Sequence, residues 1–234
     1  MTSQQQVELV IRTIAQTAVD NERYFCELDS VVGDGDFGYS LARGFEKVIE
    51  GWDDLDRTDI GTFLKKIGMV IASRCGGTSG PLWGTAFIKA GTTAGTATEL
   101  SGEQVVAMLR AAADGIKGRG QSDVGDKTLL DALVPLTDRV EQELKAGADG
   151  ADVLAAAAVT ALELRFEDLH ELRPLLERLV DAREAAEATS DMVAKRGRAS
   201  YTGERSKGSV DAGAMAVAVM TESVNHTWQT EGVS

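Results

Sequence analysis

The chain has 234 residues, 43% of them hydrophobic, enough to bury a substantial core. Its formal net charge of −13 argues against nucleic acid as a partner, because that role wants clustered Lys and Arg. Two cysteines, Cys26 and Cys75, are too few for a disulfide framework, no apolar run approaches a membrane span, and the polar opening Met1 to Gln6 has no signal-peptide character, so a cytoplasmic chain with no membrane partner is expected.

Scarce period-two runs and abundant Ala and Leu predict an all-α protein. Val7, Val10, Ile11, Ile14, Ala15 and Ala18 share one helical face. The stretch from Asp29 to Gly38 follows. It holds Asp29, Asp34 and Asp36 among Gly33, Gly35 and Gly38, and the nearest cations in sequence are Arg23 and Arg43. Carboxylates held together repel, and each shifts toward its protonated form. A divalent cation relieves that repulsion, and Mg2+ suits a few carboxylates completed by phosphate oxygens. Helix capping by Asp29 and Asp36 is the competing reading, but it leaves Asp34 unexplained. An EF-hand fails for lack of its closing glutamate.

A second helix opens near Gly38 with Leu41, Phe45, Val48 and Ile49, its N-terminal dipole directed at the acidic loop. Gly51 to Asp59 reads as a polar linker. Phe63, Leu64, Ile67, Val70 and Ile71 define a third helix. Then Gly76-Gly77-Thr78-Ser79-Gly80-Pro81 combines a helix start with hydroxyl donors and free backbone N–H groups, which suits an anion; an ordinary capped helix reads equally well. A fifth helix over Val105 to Ile116 runs into a glycine-rich loop ending in Asp126, placed to cap the sixth helix, Leu129 to Leu144. Lys127 reads as a solvated first-turn lysine.

From Asp152 to about Arg196 the pattern is helical, broken at Arg173-Pro174, with His170 exposed. Lys195 to Tyr201 is the most basic stretch, fit for a helix C-terminus or a phosphate. Asp211 or Ser209 caps a last helix over Ala214 to Val224, and His226 and Trp228 fall in a tail without a role. No domain boundary is evident, so residues 1–234 read as one domain. In an up-down bundle, the loops before the second, fourth, sixth and last helices gather on one rim and make a Mg-polyphosphate site.

Asp29-x4-Asp34-x-Asp36-x-Gly38, Gly76 to Thr85, Gly125-Asp126-Lys127-Thr128, Lys195 to Tyr201, Gly203 to Ser206 and Asp211-x-Gly213-Ala214 resemble, in order and over nearly the whole chain, the dihydroxyacetone kinase L subunit. The resemblance implies an antiparallel eight-helix barrel with ADP or ATP at one end. It implies that Asp29, Asp34 and Asp36 bind Mg2+, as two ions. Phe37, Gly38, Tyr39, Ser40, Thr78 and Ser79 would line the phosphates. Gly120, Leu129, Arg198, Asp211, Ala212 and Gly213 would make further nucleotide contacts. A separate K-type subunit would hold the ketose through a histidine, and a phosphohistidine M-type subunit would recharge ADP in the phosphotransferase version; a homodimer is also allowed. Phe37, Ser40 and Ala212 stand where many members have His, Asn and Pro. The stretch Leu162 to Ala182 looks like a helical insertion, and a four-carbon ketose is the other acceptor considered. A non-catalytic Mg-nucleotide-binding protein is the alternative of a different class, and a phosphatase ranks last for want of a nucleophile.

Overall fold

The computed structural model describes residues 1–145 and 182–230, which are all-helical, with no strand among them. The helices are α1 (Ser3–Asp20), α2 (Glu22–Ser30), α3 (Phe37–Glu50), α4 (Ile60–Arg74), α5 (Ser79–Ala94), α6 (Gly102–Gly120), α7 (Leu130–Lys145) and α8 (Ala212–Thr230). A helical run at 182–188 and 3-10 segments Thr189–Asp191 and Arg198–Ser206 precede α8.

Neighbours close a ring. α1 packs on α3, then each of α3 to α6 on the next, α7 on α8, and α8 back on α1; α2 lies against α3 and α8. The antiparallel sense follows from the register of small residues. Along α4 and α5, Gly61 meets Gly91 and Gly95, Gly68 meets Gly84 and Ile88, and Gly80 meets Cys75. Along α5 and α6, Gly115 meets Thr85 and Lys89 while Gly120 meets Leu82. The α4–α5 contact is so close that a Cβ on Gly61 would lie 2.0 Å from the Gly95 carbonyl oxygen.

Buried Phe25, Leu41, Phe45, Phe63, Ile67 and Ile116 make the core. The ring also encloses an apolar cavity of about 290 Å3, lined by side chains of α1, α5, α6, α7 and α8, including Ile11, Phe87, Met108, Met220 and Trp228.

Several expectations change. The single helix expected before the acidic loop is two, because the Asn21 side chain bonds the Thr17 carbonyl and ends α1. The linker after Gly51 contains a 3-10 turn, Trp52–Asp54, whose Trp52 is buried between Arg12 and Arg57. Helix does not continue to Arg196: it ends after 188, where Thr189 Oγ1 bonds the Ala186 carbonyl and also accepts the Asp211 N–H. The expected tail is helix, and Trp228 is 3% exposed. The insertion expected at Leu162 to Ala182, the Arg173-Pro174 break and His170 lie outside the described residues, apart from Ala182, which is buried.

Candidate metal and phosphate site

Two helices position the acidic cluster. Asp29 sits in the last turn of α2, and its carbonyl accepts the Gly33 N–H at 2.6 Å, folding the loop back. Gly35, at φ 73°, turns the chain into α3. Gly38 then lets α3 lie on α2, since a Cβ there would fall 2.0 Å from the Glu22 carbonyl oxygen. One carboxylate oxygen from each of Asp29, Asp34 and Asp36 lies within 4.8 Å of the others. Capping explains neither Asp34 nor Asp36. Asp36 occupies the N-cap position of α3 without a side-chain capping bond, and Asp29 belongs to the preceding helix, accepting the Phe37 N–H from there at 3.4 Å. Burial, and then the charges of Asp34 and Asp36, raise the Asp29 carboxyl above its usual range against the pull of backbone N–H groups.

The cluster is not free of cations, contrary to the sequence expectation. The tertiary fold brings Arg198 Nη1 onto Asp34, and to 3.2 Å from Asp36. Sequence distance hid this pair, which spans more than 160 positions.

The first turn of α3 holds Phe37, Gly38, Tyr39 and Ser40. The Phe37 ring packs on Phe25 with centroids 6.2 Å apart, facing the core. The Tyr39 N–H bonds Cys26 Sγ at 3.2 Å, while the exposed Tyr39 ring lies under Arg43. The N-terminal donors of α3 thus serve protein groups, Asp29 and Cys26, more than the dipole reading implied. Ser40 Oγ abuts Gly76, which joins this turn to the loop before α5. In that loop Cys75 is buried, its thiol pushed up to about 12 by desolvation and by Asp36. Thr78 is at the N-cap position of α5 without a capping bond, exposed, and Ser79 opens the helix.

Lys127 is not solvated. It is 2% exposed, at φ 61°, and its ammonium donates to the carbonyls of Ser206 at 2.5 Å, Ser209 at 2.6 Å and Met192 at 3.3 Å. Desolvation lowers its pKa, with Asp211 opposing. Nor does Asp126 cap α7: its carboxylate accepts the Asp123 N–H and pairs with Lys195 and Arg196. Thr128 takes that part, its Oγ1 accepting the Leu130 N–H at 3.3 Å, while Asp131 inside α7 reaches back to accept the Thr128 and Gly125 N–H groups. Asp211 does cap α8, accepting the Ala214 N–H at 2.8 Å, and burial raises its carboxyl to about 7. Gly213 lies against Leu129, Ala212 is buried, and Gly120 lies against Leu82 in the first turn of α5.

Contacts therefore link all four loops: the acidic loop to the Gly-Gly-Thr-Ser loop through Ser40, and to the segment after residue 197 through Arg198, which Lys127 and Asp126 join to the loops before α7 and α8. Lys127 and Arg198 in these roles were not legible beforehand. Their sequence signal was membership of the motifs Gly125 to Thr128 and Lys195 to Tyr201, with Arg198 expected at the nucleotide and not on the carboxylates.

Fold and site define a protein, all-helical over its described residues, that carries a cluster of three carboxylates able to hold a metal ion beside a hydroxyl-bearing helix start. The chain belongs to the DAK2 domain family, whose model matches residues 31–178 and 159–226. It is 37% identical over 199 residues, 85% of each chain, to the PEP-dependent dihydroxyacetone kinase, ADP-binding subunit DhaL, of Escherichia coli K12. It is 35% identical to the corresponding subunit of kinase 2 from Listeria innocua, covering 83% of this chain and 82% of that one. The L-erythrulose 1-kinase of Mycolicibacterium smegmatis is 33% identical over 92% of this chain, which spans 34% of that longer protein. The solved dihydroxyacetone kinase of C. freundii, in complex with AMP-PNP and Mg2+, superposes over 94% of this chain and 33% of its own, with a TM-score of 0.65 at 22% identity, a likeness of fold.

Proposed function

We propose that the chain is the nucleotide-binding, phosphoryl-donor subunit of a dihydroxyacetone (glycerone) kinase. The observation that carries this is the convergence of Asp29, Asp34 and Asp36 to within 4.8 Å, in a chain so similar to ADP-binding subunits. The donor set fits Mg2+: three hard oxygens, two of the residues exposed, and no sulfur or imidazole. Bound there, two Mg2+ ions would supply charge neutralisation at the phosphates.

The chain's own residues do the holding. The three carboxylates anchor the cations. Thr78 and Ser79, whose hydroxyls bond no other described group, donate to phosphate oxygens beside the first turn of α3, Phe37 to Ser40. Gly120, Leu129, Arg198 and the turn Asp211-Ala212-Gly213 border the rest of the nucleotide. Phosphoryl transfer needs positioning and electrostatics more than a protein nucleophile, and a donor half-site of this kind needs no general base of its own. The ketose sits on a K-type partner subunit. ADP is recharged in place by a phosphohistidine M-type subunit, a reading favoured by relatives named PEP-dependent and PTS-dependent. Two free cysteines suit a cytoplasmic location. The M. smegmatis relative supports a second acceptor, a four-carbon ketose.

The test is to denature the purified chain and identify what it releases, then to assay transfer with a K-type partner on dihydroxyacetone and on erythrulose. Mg-dependent ADP is expected. A chain that holds no nucleotide at any Mg2+ concentration ends the proposal. Asp34→Asn should lower transfer by at least about a hundredfold, as for loss of a charge-stabilising group, with the helical circular dichroism unchanged.

A further inference from the structure

We propose that Arg198 is a built-in plug of the cation position: its guanidinium compensates Asp34 and Asp36 when no divalent ion is bound, and the ion must displace it and the short segment that carries it. This rests on the metal reading above, and extends it to how the site is loaded.

The occupancy is direct. Arg198 Nη1 bonds Asp36 at 3.2 Å and pairs with Asp34 as well, so one nitrogen is shared by two of the three carboxylates. A divalent ion needs those same oxygens, at about 2.0–2.1 Å if it is Mg2+. Two cationic centres on one pair of carboxylates exclude each other by charge and by space.

The segment is built to leave. Its two ends are fastened. On one side, the Lys195 N–H bonds the Asp126 carbonyl, and Lys195 and Arg196 pair with the Asp126 carboxylate. On the other, buried Ser206 accepts the Ala194 N–H, and Lys127 grips the carbonyls of Ser206 and Ser209. Between these anchors stand Gly197 at φ 64° and Gly203 at φ 55°, two glycines in the left-handed region. The hydroxyl bonds of Ser200 and Thr202 are local, to Gly197 and Ala199. Tyr201 at the tip is 89% exposed. The Arg198 pairs are what the segment holds on the acidic loop, and all three side chains are at least 39% exposed, so these are weak, screened contacts that a divalent ion can replace. Displacement also frees a planar guanidinium suited to a phosphate.

The experiment titrates Mn2+ alone into the nucleotide-free full chain and follows free ion by electron paramagnetic resonance. Wild type, Arg198→Gln, Arg196→Gln and Asp34→Asn are compared. A plug in place nine-tenths of the time weakens apparent affinity about tenfold. Arg198→Gln is therefore expected to bind about tenfold more tightly than wild type, while Arg196→Gln, which removes the same charge from the same segment, changes little. Amide exchange across 197–203 in wild type should accelerate on adding Mn2+. Equal or weaker binding by Arg198→Gln, or an equal gain in Arg196→Gln, overturns the plug and leaves the metal reading standing if Asp34→Asn abolishes binding. Failure of both wild type and Arg198→Gln to bind Mn2+ removes the metal reading, and the plug with it.

Discussion

Asp211 shows how a single carboxyl ties the rim to stability. It caps α8 through the Ala214 N–H while burial raises its carboxyl to about 7, from an unfolded value near 3.8. The folded state therefore holds that proton more tightly than the unfolded chain. Its contribution to stability is complete below the unfolded value and declines as pH rises from about 4 to about 7. Asp211→Asn keeps an oxygen for the cap and removes the titration. Thermal melts should show the variant gaining on wild type from about pH 4 to about pH 7 and holding a level difference above that. A constant offset between the two curves would contradict the buried-carboxyl account. Asp29 is raised in the same direction, first by burial and then by the charges of Asp34 and Asp36.

At the scale of elements, the α4–α5 pair depends on what is missing from it. Gly84 faces Ala72 at a distance where an added Cβ would sit 2.6 Å from the Ala72 methyl and 2.7 Å from the Gly68 carbonyl. Both neighbours belong to α4 and neither is a flexible side-chain end, so the helices must separate. Gly84→Val should cost about 3 kcal/mol in urea unfolding, the upper range for overpacking. It should also weaken nucleotide binding more than its distance from the carboxylates implies, because α5 begins at Ser79 and moves as a rod. Unchanged unfolding would show that the two helices are not so closely packed. The loops preceding α7 and α8 rely on the opposite device, a long side chain: the Lys127 ammonium reaches the carbonyls of Met192, Ser206 and Ser209.

At the largest scale, the described helices form a ring in which α8 returns to α1. Trp228, near the end of α8, is buried at 3% exposure and lines the apolar cavity that the ring encloses. Trp228→Ala enlarges that cavity and should cost about 3–5 kcal/mol in urea unfolding. A loss below about 1 kcal/mol would show that the ring does not depend on α8 for its closure. Arg183 reinforces the same helix, pairing with both carboxylate oxygens of Glu222.

Much of this was readable from residue order. Helical periodicity located α1, α3, α4 and α6 to α8, since each must bury one stripe, the start signal Gly76 to Pro81 located α5, and the three aspartates with their glycines marked the site because like charges need a cation to stay together. The four rim loops followed from alternation of antiparallel helices joined by short links. What periodicity could not reach is contact between residues far apart in sequence. Arg198 on Asp34 and Asp36, Lys127 under the segment it anchors, and Ser40 against Gly76 exist only because ring closure brings loops together. A lysine in a polar loop looks solvated until three carbonyls surround it, and a carboxylate cluster looks unpaired until an arginine arrives from the other end of the chain. The sequence by itself determined most of the helices, though not the break at Asn21 or the end at residue 188, together with the acidic cluster and the family. Only the tertiary structure decided which charges meet, because Coulomb and hydrogen-bond energies fall off with distance in space and take no account of distance along the chain.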